Sequence, residues 1–294
     1  MTKLILSLTT VPPRFPYVHE NLNTLKRQSA EIAEINLYVA RTYRRFDYGS
    51  KDLPKLPEGV NLRLIDEDLG PATKVLPACR EYRGQDVRIL FCDDDKVYDE
   101  DWAQRFLDAA ERYPDCAICE EGSLLNTPHY AADSWQSARE PKPGYRQKGV
   151  FYRLRRAASL GLWKPSKTVS SGYVDILEGW GGVMVRPEFF DDTSFAIPDL
   201  LWTVDDVWLS GCLERQNIPI WLNAEDKVRS KGNSNEVKEA ALRNFVYQGH
   251  GRIAANQACI RYFRETYGIW GGKGFVKPDD MTQSKASDPL FARP

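Results

Sequence analysis

The segment Val87–Asp95 reads VRILFCDDD, so an apolar run rich in strand-forming residues stops at three consecutive aspartates. The run predicts a buried β-strand. Like charges delivered to one point raise each other's pKa unless a cation neutralises them. The simplest such cation is Mg²⁺ or Mn²⁺, which takes oxygen ligands and shares its shell with substrate phosphates. Because open α/β sheets bind ligands at the carboxyl ends of central strands, the segment predicts an α/β protein with a metal-plus-phosphate site at Asp93–Asp95.

Strands and helices alternate on both sides of this segment. We predict strands at 4–8, 35–40, 61–65, 87–92, 116–119 and 219–222, with a further regular segment at 176–186. We predict helices at 17–27, 72–82, 101–112, 207–216, 236–246 and 256–267. Such alternation predicts a mostly parallel central sheet covered by helices on both faces.

Residues 123–174 interrupt the alternation with little periodicity, and a long irregular insertion usually carries function. The insertion contains the aromatic and basic residues Tyr145, Phe151, Tyr152, Trp163, Arg153, Arg155, Arg156, Lys164 and Lys167. These side chains could meet an anionic ligand at a membrane surface. The alternative is a solvated loop whose aromatics complete the core.

The composition excludes several classes of protein. Forty Lys and Arg residues against 41 Asp and Glu leave no basic field for nucleic acid. The first residues are too short for a signal peptide, and no apolar stretch approaches the roughly 20 residues of a membrane span, so we expect a cytoplasmic protein. The six cysteines are predicted to be free thiols, since the zinc-like pair Cys116 and Cys119 has no second pair.

A second acidic site, Asp205-Asp206, begins an apolar helical segment. The pair could cap the helix, or one carboxylate could act as a general base while its neighbour holds the acceptor or a loop. Upstream, Gly181 and Gly182 would let the backbone approach a ligand closely, and Trp180 could stack on a sugar face. The alternative for this segment is a tight turn with a core tryptophan.

The order of four motifs resembles the GT-A glycosyltransferases. The motifs are Thr-Thr-x-Pro-x-Arg at 9–14, Asp-x-Asp at 93–95, a Gly-Gly turn at 181–182 and the acidic pair at 205–206. In inverting members of the family the second carboxylate of the pair is the catalytic base, which implies that role for Asp206. The residues that would then hold the base or the acceptor in place are Asp205, Trp180, Gly181 and Gly182.

The resemblance also implies the donor site. Asp95 and Asp93 would hold Mn²⁺ or Mg²⁺, with Asp93 also reaching a sugar or ribose hydroxyl, and His250 between glycines is a third candidate metal ligand. The residues implied for nucleotide-sugar binding are Thr9, Pro12, Arg14, Asp68, Lys74, Asp93, Asp94 and Arg252. For Lys74 the alternative is a solvated helix lysine. Along strand 87–92 alternation predicts that Asp93 and Asp95 converge while Asp94 turns away.

These implications define an expected enzyme. It would be a single GT-A-like domain over 1–273, with a nucleotide-sugar half at about 1–122, an acceptor half at about 123–273 and a tail at 274–294. It would move a sugar from a nucleotide-sugar donor, a UDP-sugar being favoured, to a hydroxyl of a glycan or lipid-linked acceptor with inversion. The setting would be bacterial surface polysaccharide synthesis, in the cytoplasm or peripheral to the inner face of the membrane.

Three alternatives have different sequence requirements. A sugar nucleotidyltransferase usually carries a glycine-rich loop after the first strand, whereas residues 9–13 read TTVPP. A non-catalytic carbohydrate-binding protein would need neither Asp206 nor a metal. A metal-dependent phosphohydrolase would need more histidine ligands than His19, His129 and His250.

Overall fold

A computed structural model describes most of the chain. The described residues are 2–47, 53–127, 130, 135–146, 149–160, 165–228, 230–232, 237, 240–242 and 245–271. The predicted tail at 274–294, the insertion residues Trp163 and Lys164, and His129 lie outside them.

Short and long strands run through the whole described chain. They are β1 (Lys3–Thr9), β2 (Glu34–Ala40), β3 (Val60–Ile65), β4 (Val87–Cys92), β5 (Lys96–Val97), β6 (Ala117–Cys119), β7 (Gly122–Ser123), β8 (Gly144–Tyr145), β9 (Thr168–Ser170), β10 (Gly172–Val174), β11 (Ile176–Leu177), β12 (Val183–Val185), β13 (Ile220–Leu222) and β14 (Lys231–Gly232). The α-helices are α1 (Val18–Leu25), α2 (Leu76–Glu81), α3 (Trp102–Arg112), α4 (Val150–Ala158), α5 (Asp205–Arg215) and α6 (Arg252–Tyr267).

Eight of these strands form the central sheet in the order β10-β13-β6-β12-β4-β1-β2-β3. The pairs β4–β1, β1–β2, β2–β3 and β6–β13 are parallel, whereas β12 runs antiparallel to both of its neighbours. The predicted fold class, α/β with a mostly parallel central sheet flanked by helices, is therefore confirmed. Strands from both sides of residue 122 share this sheet, and the predicted division into donor and acceptor halves stays a prediction.

Alternation along β1 fills the core on both faces of the sheet. Leu4, Leu6 and Leu8 are buried in one cluster with side chains of α1 and α3, whereas Ile5 lies in the other cluster with α2, α5 and α6. Successive side chains of a strand point to opposite faces, so a strand buried on both faces needs apolar residues throughout. Each of these buried side chains contributes roughly 1.5–3 kcal/mol of transfer free energy.

The register of β1 against β4 positions the site. Leu8 lies opposite Cys92, so Thr9-Thr10 and Asp93 leave the sheet at the same edge. The strands predicted at 4–8, 35–40, 61–65 and 87–92 are all confirmed within one residue at each end. The six cysteines are free and buried, as predicted.

Other predicted elements differ from the structure. Segment 176–186 is broken into β11 and β12 by a 3-10 turn at Gly179–Gly181, and helix 72–82 opens with a 3-10 turn at Gly70–Lys74. The predicted helix 236–246 is wrong where the structure describes it, because residues 237, 240–242, 245 and 246 form no α-helix. The insertion 123–174 contains α4 and three short strands, so it is more regular than predicted. In the described ranges, none of the helices has the length and hydropathy that crossing a bilayer requires.

Gly182 shows where the sheet tolerates no side chain. Its φ is +94°, and an added Cβ would lie 2.4 Å from Cζ2 of Trp102. Strained backbone and overpacking each cost roughly 1–3 kcal/mol, so we expect Gly182→Ala to lower the free energy of unfolding by at least about 2 kcal/mol in urea titrations. Gly59→Ala is the matched control, since Gly59 has a φ of +84° and no atom within 4 Å of an added Cβ. Equal losses of unfolding free energy in the two variants would show that the clash with Trp102 adds nothing to the destabilisation of Gly182→Ala.

Candidate functional site

A pocket of about 590 Å³ opens at the carboxyl ends of β1 and β4, against the first turns of α5 and α6. The predicted site residues that line it are Thr9, Arg14, Asp68, Lys74, Asp93, Asp94, Asp95, Trp180, Asp205, Asp206 and Arg252. Pro12, Gly181, Gly182 and His250 are not among the described residues that line it. The fold thus brings together the loop after β1, the acid triplet and the later acidic pair.

The acid triplet forms a turn between β4 and β5. The side-chain amide of Asn21 fixes this turn by donating to the carbonyl oxygens of Asp93, at 3.1 Å, and Lys96, at 2.8 Å. Alternation holds only along extended chain, so the prediction that Asp94 turns away is wrong. Asp94 is buried, accepts a 2.5 Å hydrogen bond from the Thr10 hydroxyl and pairs with Arg14.

Two cations face the outer part of the triplet. The Arg14 guanidinium, already paired with Asp94, also lies 3.2 Å from Asp95, and the Lys96 ammonium lies 2.6 Å from the other oxygen of Asp95. Burial disfavours the charged guanidinium, but the carboxylates of Asp94 and Asp95 outweigh it and raise the pKa of Arg14. Arg14, a predicted nucleotide-sugar contact, is therefore held by the acids at the pocket wall.

Lys74 joins the two acidic motifs. Its buried ammonium lies 2.7 Å from Oδ1 of Asp93 and 2.8 Å from Oδ2 of Asp205. Burial disfavours the ammonium, but the charges of Asp205, Asp93 and Asp206 outweigh it and raise the pKa of Lys74 well above its usual value. Lys74 is thus not the solvated helix lysine of the alternative interpretation.

Asp206 lies in the first turn of α5 with a side chain that is 14% exposed. Its Oδ1 accepts a 2.9 Å hydrogen bond from the Gly179 N–H, and its Oδ2 lies 3.4 Å from the Arg252 guanidinium. Burial, followed by the charge of Asp205, raises the pKa of Asp206 to about 7. A carboxylate with that pKa can accept a proton near neutral pH.

The capping interpretation of the acidic pair finds no support in this geometry. The helix N-cap is Val204, and no side chain makes a capping hydrogen bond there. Both carboxylates instead occupy the first turn, where negative charge is favourable near the helix N-terminus.

The glycine-rich turn contacts the site differently from what we predicted. The Gly181 carbonyl oxygen accepts a 3.0 Å hydrogen bond from the Trp102 indole N–H, and Gly182 packs on the same indole, so both approach protein and not the pocket. Gly179 is the close-approach residue, since an added Cβ would lie 2.4 Å from Nζ of Lys74. Trp180 lines the pocket while its indole N–H donates to Glu178 at 2.9 Å.

Several pocket residues were not predicted from sequence. Lys96, Arg45 and Trp202 line the pocket together with the predicted residues. Lys96 directly follows the acid triplet, and that adjacency is a usable signal for a counter-cation. Trp202 is placed by Gly70, whose φ of +61° and missing side chain let the indole pack within 2.5 Å of where a Cβ would be. Asp68 stabilises this bend by accepting from the backbone N–H groups of Arg44, at 2.9 Å, and Gly70, at 2.8 Å.

The residues present fit only a sparse metal site. Within the described ranges, no three His, Cys, Asp or Glu side chains are grouped so as to hold an ion. A Mg²⁺-type ion nevertheless needs only one or two carboxylates when substrate phosphates and water complete its shell. Asp93 and Asp95 line the pocket with side chains that are each 34% exposed, and they would supply that limited set once the ion displaced Arg14 and Lys96 from the Asp95 oxygens. His250 points its Nδ1 at the Gln248 carbonyl, 3.0 Å away, and its role as a metal ligand stays a prediction.

Comparison with known proteins identifies no family by sequence, because neither a family model nor a curated protein matches the chain. Among solved structures, TarS 1–349 of S. aureus in complex with UDP-GlcNAc is 14% identical with a TM-score of 0.45, and the match covers 81% of this chain and 60% of that one. TarS 1–349 without a named ligand is 12% identical with a TM-score of 0.43, over 78% and 59% of the two chains. The chain therefore spans less than two thirds of the length of these structures.

Proposed function

We propose that this protein is a glycosyltransferase that moves a sugar from a nucleotide-sugar donor to an acceptor hydroxyl with inversion at the anomeric carbon. The observation that carries the proposal is the meeting of Asp206, a carboxylate that is 14% exposed and whose pKa is raised to about 7, with the acid triplet in one pocket of about 590 Å³. Pockets of roughly 300–1,000 Å³ accommodate small-molecule ligands.

The donor diphosphate would lie against the basic wall of the pocket. Arg14, Lys96, Arg45 and Arg252 line this wall and supply positive charge for the leaving diphosphate. Mn²⁺ or Mg²⁺ held by Asp95 and Asp93 would add Lewis-acid stabilisation of the same charge. The end of β1 and the loop that follows it, with Thr9 and Thr10 in the pocket wall, are the proposed contact for the nucleoside.

Asp206 would accept the proton of the acceptor hydroxyl as its oxygen attacks the anomeric carbon. The bond between that carbon and the diphosphate oxygen breaks in the same step, through an oxocarbenium-like transition state. Asp205 is held by Lys74, so Asp206 is the member of the pair left to act as base. One displacement from the face opposite the leaving group gives inversion.

The acceptor would approach from the side of Trp180, which lines the pocket and offers an apolar face to a sugar ring. A glycan or a lipid-linked sugar hydroxyl suits this arrangement. The indole is oriented by its hydrogen bond to Glu178, whose other oxygen pairs with the Ser123 hydroxyl. The predicted acceptor-side insertion begins at the same Ser123.

A thermal-shift screen of nucleotide-sugars, beginning with UDP-sugars and run with and without Mn²⁺, tests the proposal. A ligand at 100 times its Kd stabilises the native state by about 2.7 kcal/mol, so we expect a rise in Tm of several degrees. The matching donor should also be hydrolysed slowly to free sugar and nucleoside diphosphate. Absence of any rise in Tm at millimolar concentrations would contradict the donor assignment. A rise of equal size without Mn²⁺ would contradict the proposed role of the metal but not the donor assignment.

A further inference from the structure

Helix α4 carries an apolar surface that the protein core does not cover. None of the nine residues Val150–Ala158 is buried. Phe151 is 88% exposed, Val150 71% and Leu154 60%, and Leu160 just beyond the helix is 90% exposed. So many exposed large apolar side chains within one short segment mark an interaction surface.

The apolar side chains of α4 share one face. At about 100° per residue, Val150, Leu154 and Phe151 fall within a stripe of roughly a third of the helix circumference. Arg153 and Arg155 lie at the two edges of this stripe, and Arg156 lies on the opposite face. A helix of nine residues is too short to be stable in water by itself, so burial of the apolar stripe against a binding partner would stabilise α4.

The distribution of charge on α4 indicates what kind of partner buries the stripe. Three arginines stand on this one helix, although the whole chain has a net charge of −1. A helix with Phe and Leu on one face and arginines along its edges is suited to lie in the plane of a bilayer, with its apolar face at the acyl boundary and its guanidinium groups among anionic headgroups. We propose that α4 docks this protein on the surface of a membrane containing anionic phospholipid.

The position of α4 relates this docking to the pocket. The helix lies between β8 and β9, which pair antiparallel and are closed by a 2.8 Å hydrogen bond from Arg146 N–H to the Lys167 carbonyl. At the base of this hairpin the Tyr145 hydroxyl lies 3.5 Å from the carbonyl oxygen of Gly122, next to Ser123 and its partner Glu178. If the proposed function holds, docking through α4 brings the acceptor side of the pocket to the bilayer, where a lipid-linked acceptor would be found.

Vesicle co-sedimentation of the full chain tests the proposal without requiring activity. The probes are vesicles of equal parts phosphatidylglycerol and phosphatidylcholine, and vesicles of phosphatidylcholine alone. We expect binding to the anionic vesicles, weakened by salt, and binding at least roughly tenfold weaker in the double variants Phe151→Ser/Leu154→Ser and Arg153→Glu/Arg155→Glu. Because all four side chains are exposed, these variants should keep the wild-type Tm.

Leu64→Ser is the matched control for the apolar variant, since Leu64 is 37% exposed on β3, at the opposite edge of the sheet from β10. It should bind vesicles as the wild type does. Failure of the wild type to bind anionic vesicles would overturn the proposal, as would undiminished binding by Phe151→Ser/Leu154→Ser. Self-association that is lost in this variant, with no vesicle binding, would assign the stripe to a second copy of the chain.

Discussion

The variant Asp206→Asn is expected to lose roughly 10²–10⁴-fold in the rate of donor turnover while it binds the donor nearly as tightly as the wild type. An amide keeps the shape of the carboxylate and can still accept the hydrogen bond from Gly179 N–H. It cannot take the proton of an attacking hydroxyl or water. Hydrolysis of the donor found in the thermal-shift screen measures the rate, and the Tm shift measures binding.

The pH dependence of the same reaction shows whether Asp206 acts as a base or only as a structural carboxylate. Burial and the charge of Asp205 raise the pKa of Asp206 to about 7, so this group is protonated, and inactive as a base, below that pH. We therefore expect kcat/KM of the wild type to rise with pH through about 7. This ascending limb should disappear in Asp206→Asn.

Asp66→Asn is the matched control, since Asp66 is an exposed carboxylate whose side chain is 94% accessible. It should keep the wild-type rate and pH profile. A wild-type rate in Asp206→Asn, or an unchanged ascending limb, would assign the base to another group.

The largest expected loss of stability follows from Lys74→Met. Removing the ammonium leaves Asp93 and Asp205 beside each other without their shared counter-charge, and removing one partner of a buried ion pair costs roughly 3–5 kcal/mol. Urea unfolding at pH 7 should show this loss in the free energy of unfolding. Lys26→Met, at an exposed lysine, should stay within about 0.5 kcal/mol of the wild type.

The loss in Lys74→Met should depend on pH. In the wild type Lys74 outweighs burial and lowers the pKa of Asp93, so this stabilisation is present above the usual carboxyl pKa and is lost as pH falls through the lowered value. The difference in free energy of unfolding between Lys74→Met and the wild type should therefore become smaller at acidic pH. Lys74→Met/Asp205→Asn should recover part of the loss at pH 7, and a Lys74→Met variant as stable as Lys26→Met would refute the bridging role.

Much of the sheet could be predicted from local pattern. The strands β1, β2 and β4 are largely apolar on both faces, whereas β3 alternates Val60, Leu62 and Leu64 with the polar residues Asn61 and Arg63. Turn-forming residues bound these strands, so their positions follow from the sequence. The acid triplet could be placed at the carboxyl end of β4 for the same reason. The acid triplet lies close to Asp205-Asp206 because of the order in which the strands assemble into the sheet. Local sequence pattern does not reveal that order.

The rest depends on tertiary contacts that leave no local pattern. Gly179 faces Lys74 because the 3-10 turn rotates its position toward the pocket, whereas Gly181 and Gly182 meet Trp102 and Glu121. Helix α4 was missed because a short amphipathic segment without a core contact resembles a polar loop in sequence. The bridging role of Lys74 required knowledge of both acidic motifs in three dimensions.

Strand β12 comes late in the chain but lies between β4 and β6 in the sheet. During synthesis on the ribosome, the edges of β4 and β6 that face β12 therefore stay unpaired until residue 185 has left the exit tunnel, and the other edge of β6 waits longer, for β13. Unpaired apolar edges can pair with strands of other chains, so this interval of synthesis is the one in which the nascent chain is most prone to aggregate. A messenger truncated before that codon would yield a product with both edges permanently open.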